Sequence, residues 1–170
     1  MTPRELYNQA LERGDLQADP AQAALVVQLT ELHQRLIDAS CRSAPRGGLL
    51  RDALRRFANP VREQAVRGLY IWGSVGRGKT LLVDLFFDAL PFENKLRIHF
   101  HDFMQFVHTD LKQLGNRSDP LQAVAQRLRA RTQVLCFDEF HVSDIADALL
   151  LGRLFEALFE QGIALVATSN

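Results

Sequence analysis

One segment in the middle of the chain has the residue types and spacing of a phosphate-binding loop. It follows the pattern G-x-x-x-x-G-K-[ST], and its residues are Gly73, Ser74, Val75, Gly76, Arg77, Gly78, Lys79 and Thr80. Glycines let the backbone bend so that successive N–H groups point at phosphate oxygens, while the lysine binds the terminal phosphates and the threonine hydroxyl binds Mg²⁺. The segment predicts a nucleotide site, in which we include the next residue, Leu81.

A second segment supplies acidic residues. Four apolar residues followed by two acids, from Val134 to Glu139, predict a buried strand whose end delivers carboxylates to a ligand. Asp138 is the candidate to hold Mg²⁺, and Glu139 is the candidate to orient and deprotonate an attacking water. Another apolar strand ends at Asn170, whose amide could contact that water or the terminal phosphate. Together these residues predict hydrolysis, although each strand could also simply end in a polar turn.

The context of the loop supports the nucleotide interpretation, because a strand should enter a phosphate loop and a helix should leave it. Residues 69 to 73 are a short β-branched and aromatic run, and residues 79 to 90 carry apolar side chains at helical spacing up to Pro91. That helix would direct the positive end of its dipole at the same anion.

The elements that must position these residues fall into two predicted parts. Residues 1 to 66 are expected to be helical, with helices that begin at Thr2-Pro3 and Asp19-Pro20, a loop over 40 to 48 and a third helix over 49 to 58. Residues 67 to 170 alternate strands with helices, which indicates a parallel α/β sheet. The expected strands are 69–73, 96–100, 133–138 and 163–168, and the expected helices are 79–90, 102–114, 121–130 and 144–160.

Composition restricts the class but not the partner. The chain is 47% apolar, and 20 basic residues balance 20 acidic ones, so bulk charge does not predict a nucleic-acid or membrane partner. The sequence has no apolar stretch of the roughly 18 residues that a membrane span needs and no secretory signal at its start. The two cysteines are not at metal-site spacing and suit a reducing compartment. We therefore expect a cytoplasmic protein.

Three features leave other functions open. Seven arginines between Arg42 and Arg67, against two acids, could form a face for nucleic acid or an acidic partner, or could be a solvated helix face. His99 and His101 alternate along a predicted strand, with His108 on the next helix, and could bind a metal or simply pack. The run from Asp138 to His141 also spells the D-E-x-H box of helicases. A nucleic-acid translocase and a non-catalytic partner-binding module therefore stay as alternatives.

The residues around both motifs narrow the family. The informative segments are GLYIWG before the loop, DLFFD after it, RIHFHDFM with the following VH, VLCFDEF, VSDIADA, LGRL and the terminal LVATSN. With these segments the chain resembles the ZapE cell-division ATPases of bacteria, a family of the AAA+ class that includes a related mitochondrial ATPase. The likeness covers residues 67 to 170, and extends more weakly to the stretch from Asp19 to Gln22. By their position, the residues of that stretch are also candidates for contacts to adenine.

The resemblance implies an AAA+ P-loop fold that binds ATP and Mg²⁺ and hydrolyses ATP. It identifies Gly73 to Thr80 as Walker A, Asp138 and Glu139 as Walker B, and Asn170 as sensor 1. In the bacterial branch it implies remodelling of polymers of the tubulin-like division protein FtsZ, and it is compatible with a homo-oligomer. In the mitochondrial branch it implies membrane-protein quality control. Ser74 and His141 stand where glycine and phenylalanine are common.

The resemblance also predicts the sheet order. AAA+ sheets have the strand order 5-1-4-3-2, and a fifth strand, an arginine finger and a helical lid follow sensor 1. With sensor 1 at Asn170, we expect an incomplete core whose first strand lies at a sheet edge and whose ATP turnover is very slow, because an arginine finger contributes about 10³–10⁵ in rate in related hydrolases.

Overall fold

The computed structural model describes residues 1–43, 66–115 and 118–170. Six helices and four strands lie in this part of the chain. In chain order they are α1 (Pro3–Glu12), α2 (Pro20–Ser43), β1 (Leu69–Trp72), α3 (Lys79–Ala89), β2 (Lys95–His99), α4 (Phe100–Leu114), α5 (Pro120–Arg129), β3 (Val134–Asp138), α6 (Ile145–Glu160) and β4 (Ala164–Ser169).

The four strands form one parallel sheet in the order β1-β4-β3-β2. Leu69 of β1 pairs with Val166 of β4, and Val134 of β3 pairs with Ala164 of β4. Parallel neighbours need a crossover connection, and helices occupy the connections here. The predicted parallel sheet is confirmed, and among the strands of the described residues β1 lies at one edge, as expected.

Helices cover both faces of the sheet, which gives three layers. Successive residues of a strand point to opposite faces. Cys136 and Val166 accordingly lie in one hydrophobic cluster with side chains of α1, α2 and α3. Leu135 and Phe137 lie in a second cluster with side chains of α4, α5 and α6. A strand buried on both faces needs a continuous apolar run, which is what β3 has.

The two N-terminal helices begin where the sequence predicts. Thr2 caps α1 in a capping box, in which the Glu5 N–H donates to Thr2 Oγ1 and the Thr2 N–H donates to the Glu5 carboxylate. The apolar stripe of α2 is buried, with Leu29 and Leu32 fully so. It packs in the same cluster as α1 and α3. The division at residue 66 stays a prediction.

Two predictions about the region after α2 have different outcomes. The prediction of a loop is wrong over residues 40 to 43, because α2 continues through Ser43. Residues 44 to 48 lie outside the described residues. The third helix over 49 to 58 and most of the arginine-rich stretch lie outside the described residues. No helix in the described part of the chain has an apolar stretch long enough to cross a bilayer.

Strand β2 differs from its neighbours because it carries two cations on the face toward α3. Lys95 donates from Nζ to the carbonyls of Phe87 and Leu90, at 2.7 and 2.9 Å, and its ammonium lies 4.8 Å from the Phe87 ring centroid. A cation at the C-terminal end of a helix satisfies carbonyls left open there and complements the helix dipole. Lys95 therefore attaches the end of α3 to the sheet.

Cys136 lies in the centre of β3 with no exposed surface. Burial raises the pKa of its thiol from 9.0 to about 12, because a thiolate would lose its hydration there, and this effect outweighs the opposing attraction of Arg97. Above pH 9 the unfolded thiol ionises while the folded one stays protonated. The contribution of Cys136 to the free energy of unfolding is therefore complete below pH 9 and is lost as the pH rises toward 12.

We predict that Cys136→Val is less sensitive to alkali than the wild type. Between about pH 8 and about pH 10.5, the wild type should lose roughly 2 kcal/mol more of its free energy of unfolding than the variant. Urea denaturation at both pH values measures this difference. Cys41→Ser is the control, because it removes the other thiol of the chain, which is exposed. Equal losses in wild type and Cys136→Val would contradict the assignment.

Candidate functional site

The predicted phosphate loop connects β1 to α3 and has the backbone that its glycines permit. Gly76 and Gly78 have φ angles of 81° and 73°, and Gly78 is the N-cap of α3. Lys79 donates from Nζ to the carbonyls of Gly73 and Ser74, at 2.7 and 2.9 Å. An ammonium has three donors, so one remains for a ligand beside the N-terminus of the helix.

The start of α2 is attached to this loop. Gln22 donates from Nε2 to the Arg77 carbonyl at 3.1 Å, and the Arg77 guanidinium lies 3.6 Å from the Asp19 carboxylate. Between α2, β1 and the loop lies a cavity of about 470 Å³, here called the α2 cavity. Its lining includes Gln22, Leu25 and Tyr70, and the buried Gln22 Oε1 has no hydrogen-bond partner. The cavity has the size of a small-molecule pocket.

At the end of β3, Asp138 is bound by an arginine from the neighbouring strand. Arg97 of β2 donates to both carboxylate oxygens of Asp138, from Nε at 2.7 Å and from Nη2 at 3.1 Å. The remaining Nη1 donates to Asp84 of α3. Two acids and one guanidinium thus form a network that joins α3, β2 and β3.

Glu139 has an unusual backbone conformation. Its φ is 55°, the only positive φ outside glycine in the described part of the chain. Non-glycine residues in sparsely populated backbone regions cost about 1–3 kcal/mol and persist only when the surroundings impose them. Here the Phe140 N–H donates to the Thr168 carbonyl at 2.7 Å, and the Glu139 N–H donates to Thr168 Oγ1 at 3.4 Å. Phe140 is also held by Phe100, at 4.5 Å between ring centroids.

The ends of β3 and β4 and the phosphate loop enclose a second cavity of about 430 Å³, here called the loop cleft. It brings together the loop residues from Val75 to Leu81, Glu139, and the residues from Thr168 to Asn170. Lys79 and Thr80 of the predicted loop therefore lie around one space with Glu139 and Asn170, which distant segments of the sequence supply. Asp138 is not among the lining residues, and its carboxylate binds Arg97.

The oxygen donors suit Mg²⁺ held mainly by a bound nucleotide. Mg²⁺ in such sites typically keeps waters and uses one or two protein groups together with substrate phosphates. Thr80 lines the loop cleft and Asp138 ends the adjacent strand, which matches this small donor set. Within residues 1–43, 66–115 and 118–170, no three histidine, cysteine or acidic side chains form a metal-binding group.

The prediction that His99 and His101 alternate along one strand is wrong. His99 is the last residue of β2, whereas His101 lies in α4, which begins at Phe100. His101 contacts Gln105 at 2.8 Å, and His108 pairs with Asp147 at 2.9 Å. The strand predicted over residues 96 to 100 is shorter at its end, because the apolar Phe100 belongs to the helix.

The sequence motifs predict no role for Arg97, Asp84 or Thr168. A charged residue between two apolar ones, as in Leu96-Arg97-Ile98, was an available signal, because a charge in a strand that packs on both faces needs a partner. The identity of that partner depends on strand order. Thr168 carries no such signal, because its role comes from the adjacent strand.

The family comparison agrees with the geometry. The model of the AFG1-like ATPase family matches residues 1–170. The chain belongs to this family. The fold is therefore that of a P-loop AAA+-type α/β core preceded by helices, as the sequence predicts.

Individual relatives cover this AFG1-like chain almost completely. Cell division protein ZapE of Escherichia coli strain K12 is 48% identical over 172 residues, which is 100% of this chain and 46% of that protein. Lactation elevated protein 1 homolog B of Danio rerio is 32% identical over 206 residues, which is 96% of this chain and 41% of that protein. The chain spans about half the length of these relatives. Among solved structures, domain III of the Thermotoga maritima replication initiation protein DnaA has a TM-score of 0.49 and 21% identity, covering 72% of this chain and 52% of that one.

We predict that Gly78→Ala destabilises the chain by roughly 1–2 kcal/mol, because a left-handed conformation disfavours a side chain by about that amount. The added Cβ would also lie 2.9 Å from Gln22 Nε2. Urea denaturation measures the change in the free energy of unfolding.

Gly152→Ala is the matched control. Gly152 is exposed within α6, and an added Cβ there meets no atom within 4 Å. Because glycine weakens a helix interior relative to alanine, this variant should be stabilised by roughly 0.5–1 kcal/mol. Effects of the same sign in both variants would contradict the strained conformation at Gly78.

Proposed function

We propose that the chain forms the nucleotide-binding part of a Mg²⁺-dependent ATPase of the ZapE type. The observation that carries this proposal is the loop cleft, in which a phosphate-type loop faces one acidic and one amide side chain from neighbouring strand ends. Membership of the AFG1-like ATPase family supports the same reaction.

In this proposal the residues from Gly73 to Leu81 bind the phosphates. The backbone N–H groups at the start of α3 and the free donor of Lys79 are the groups that meet the negative charge. Because the Lys79 ammonium already lies against two loop carbonyls, it is held close to the position where the terminal phosphates must lie. The loop is therefore prepared for an anion before the nucleotide arrives.

Thr80 and Asp138 are the proposed metal residues. Bound Mg²⁺ would neutralise part of the phosphate charge, which is the contribution of metal ions in phosphoryl transfer. Thr80 would supply its hydroxyl directly, whereas Asp138, with both oxygens engaged by Arg97, suits a contact through water.

Glu139 and Asn170 are the proposed groups around the attacking water. The strained backbone at Glu139 and the anchoring of Phe140 direct an exposed carboxylate into the loop cleft. Glu139 would accept the proton of the water, and the Asn170 amide would orient that water or the terminal phosphate.

The α2 cavity is the proposed site of the adenine ring. It adjoins the loop at Gly73, Ser74 and Lys79, so a nucleotide with phosphates on the loop can place its base there. The cavity combines apolar walls, such as Leu25 and Ile71, with the amides of Gln22 and Gln28. Trp72 also lines this space and is the single tryptophan of the chain, so its fluorescence should report nucleotide binding.

The action of the whole protein is also part of the proposal. We infer that ATP turnover remodels a protein client, and the ZapE relative supports a client in bacterial cell division, for which the sequence resemblance implies FtsZ polymers. A homo-oligomer in the cytoplasm would suit this role. The 170-residue chain alone should bind ATP weakly and hydrolyse it very slowly.

We predict that Lys79→Ala weakens MgATP binding by about 10- to 100-fold, because it removes a charge-assisted contact to phosphate. Calorimetry and Trp72 fluorescence measure the affinity. The matched control is Lys112→Ala, which removes an exposed lysine of α4 and should leave the affinity unchanged. If Lys79→Ala and wild type bind MgATP equally, the phosphate-loop assignment is wrong.

In a full-length relative such as ZapE, the change that corresponds to Glu139→Gln should keep MgATP binding and lose about 100-fold or more of ATP hydrolysis, because it removes the general base. Phosphate release and calorimetry measure the two quantities.

The same variant tests the client. If ATP turnover drives remodelling, sedimentation of FtsZ polymers should change with ATP and wild type but not with ATP and Glu139→Gln. If Glu139→Gln still hydrolyses ATP, Glu139 is not the general base. If neither wild type nor Glu139→Gln changes the sedimentation of FtsZ polymers, FtsZ is not the client.

A further inference from the structure

Arg97 is a charged residue of β2, the strand that pairs with β3, and β3 ends at the predicted metal residue Asp138. It pairs in register with Cys136 of β3 and points to the α3 face, while Leu96 and Ile98 pack on the opposite face. Its side chain is 19% exposed. A charge with so little solvent is retained only where partners balance it.

The partners of Arg97 use both ends of the guanidinium. Nε and Nη2 bind the two oxygens of Asp138, which is 14% exposed, and Nη1 binds Asp84. A bidentate pair fixes the rotation of a carboxylate as well as its position. A carboxylate has about four lone-pair sites, so Asp138 keeps two that Arg97 does not use.

Asp84 extends the network to α3, the helix that begins at the phosphate loop. It lies one helical turn after Thr80 on α3, and residues four apart share a helix face. Without Arg97, Asp84 and Asp138 would be two negative side chains around the same space with no cation between them. Two carboxylates so placed are suitable ligands for a divalent cation.

We propose that Arg97 is a positioning residue for the metal side of the nucleotide site. It fixes Asp138 so that this carboxylate meets the metal through a water, and its charge prevents Asp84 and Asp138 from binding a divalent cation before the nucleotide is present. The metal then enters together with the phosphates. This inference rests on the proposed function, because it assigns Asp138 to the metal of the same site.

The first test uses no nucleotide. Mn²⁺ prefers the same oxygen ligands as Mg²⁺ and is detected by electron paramagnetic resonance. Arg97→Met should bind Mn²⁺ about tenfold or more tightly than the wild-type 170-residue chain, because two acids lose their counter-charge. Arg97→Lys keeps a cation and should stay as weak as the wild type.

The second test compares nucleotide affinity with and without Mg²⁺, measured by Trp72 fluorescence. In the wild type Mg²⁺ should strengthen ATP binding. In both Arg97→Met and Arg97→Lys this gain should shrink several-fold, because neither side chain can hold both oxygens of Asp138.

Arg127→Met is the matched control. Arg127 forms another partly buried arginine–aspartate pair, with Asp110, between α5 and α4 and away from the loop cleft. Its loss should lower stability but change neither Mn²⁺ binding nor the Mg²⁺ gain. The variant therefore distinguishes the general effect of losing a partly buried ion pair from the specific effect of losing the Arg97–Asp138 pair.

The inference is overturned if Arg97→Met binds Mn²⁺ no more tightly than wild type, or if Arg97→Lys keeps the full Mg²⁺ gain. Should Arg97→Met fail to fold, as judged by circular dichroism, the Lys variant alone decides through the Mg²⁺ gain. The Mn²⁺ test contains no ATP, so a failure there rejects only the role of Arg97. The nucleotide site itself is rejected by a different result, namely equal MgATP affinity of Lys79→Ala and wild type.

Discussion

Parallel pairing of β1, β4 and β3 puts the carboxyl ends of three strands at one edge of the sheet. Trp72 pairs with Ser169, and Phe137 pairs with Ala167, so the residues that follow each strand emerge side by side. The phosphate loop, Glu139 and Asn170 are far apart in sequence and become neighbours only through this register. Both helical layers serve the same arrangement, because parallel strands require crossovers and must be covered on both faces.

Charge on β2 is the second organising feature. The face of β2 toward α3 carries Lys95 and Arg97 where the other strands carry apolar residues. Lys95 satisfies carbonyls at the end of α3, and Arg97 binds Asp84 in its middle. The helix that begins at the phosphate loop is thus joined to the sheet by ionic contacts as well as by packing of Leu82, Val83 and Phe86. Through Arg97, α3 is thus linked to Asp138.

The loop is also held from the N-terminal side. Asp19 and Gln22, at the start of α2, contact Arg77, and His33 contacts the Ala89 carbonyl at 3.0 Å near the end of α3. Both ends of α3 are therefore in contact with α2. Residues of α2 and of α3 line the α2 cavity together with Gly73, Ser74 and Arg77 of the phosphate loop, so the cavity adjoins the loop.

Much of the fold followed from local sequence. The glycine pattern of the loop, the cap at Thr2, the helical stripe of α2 and the apolar run of β3 each depend on residues near one another in the chain, so the sequence predicted them closely. The misplaced residues were at element ends, such as Phe100, where an apolar residue suits either a strand or a helix core. The family resemblance added the strand order, which periodicity does not contain.

Contacts between distant segments were decided only by the tertiary structure. The sequence by itself selected Lys79, Thr80, Asp138, Glu139 and Asn170, because their residue types and spacing are typical of nucleotide chemistry. It did not reveal that Arg97 binds Asp138, that Thr168 holds the backbone at Glu139, or that Gln22 binds Arg77. Each of these depends on which strand or helix lies alongside another, and that choice is made by packing the whole chain rather than by any local pattern.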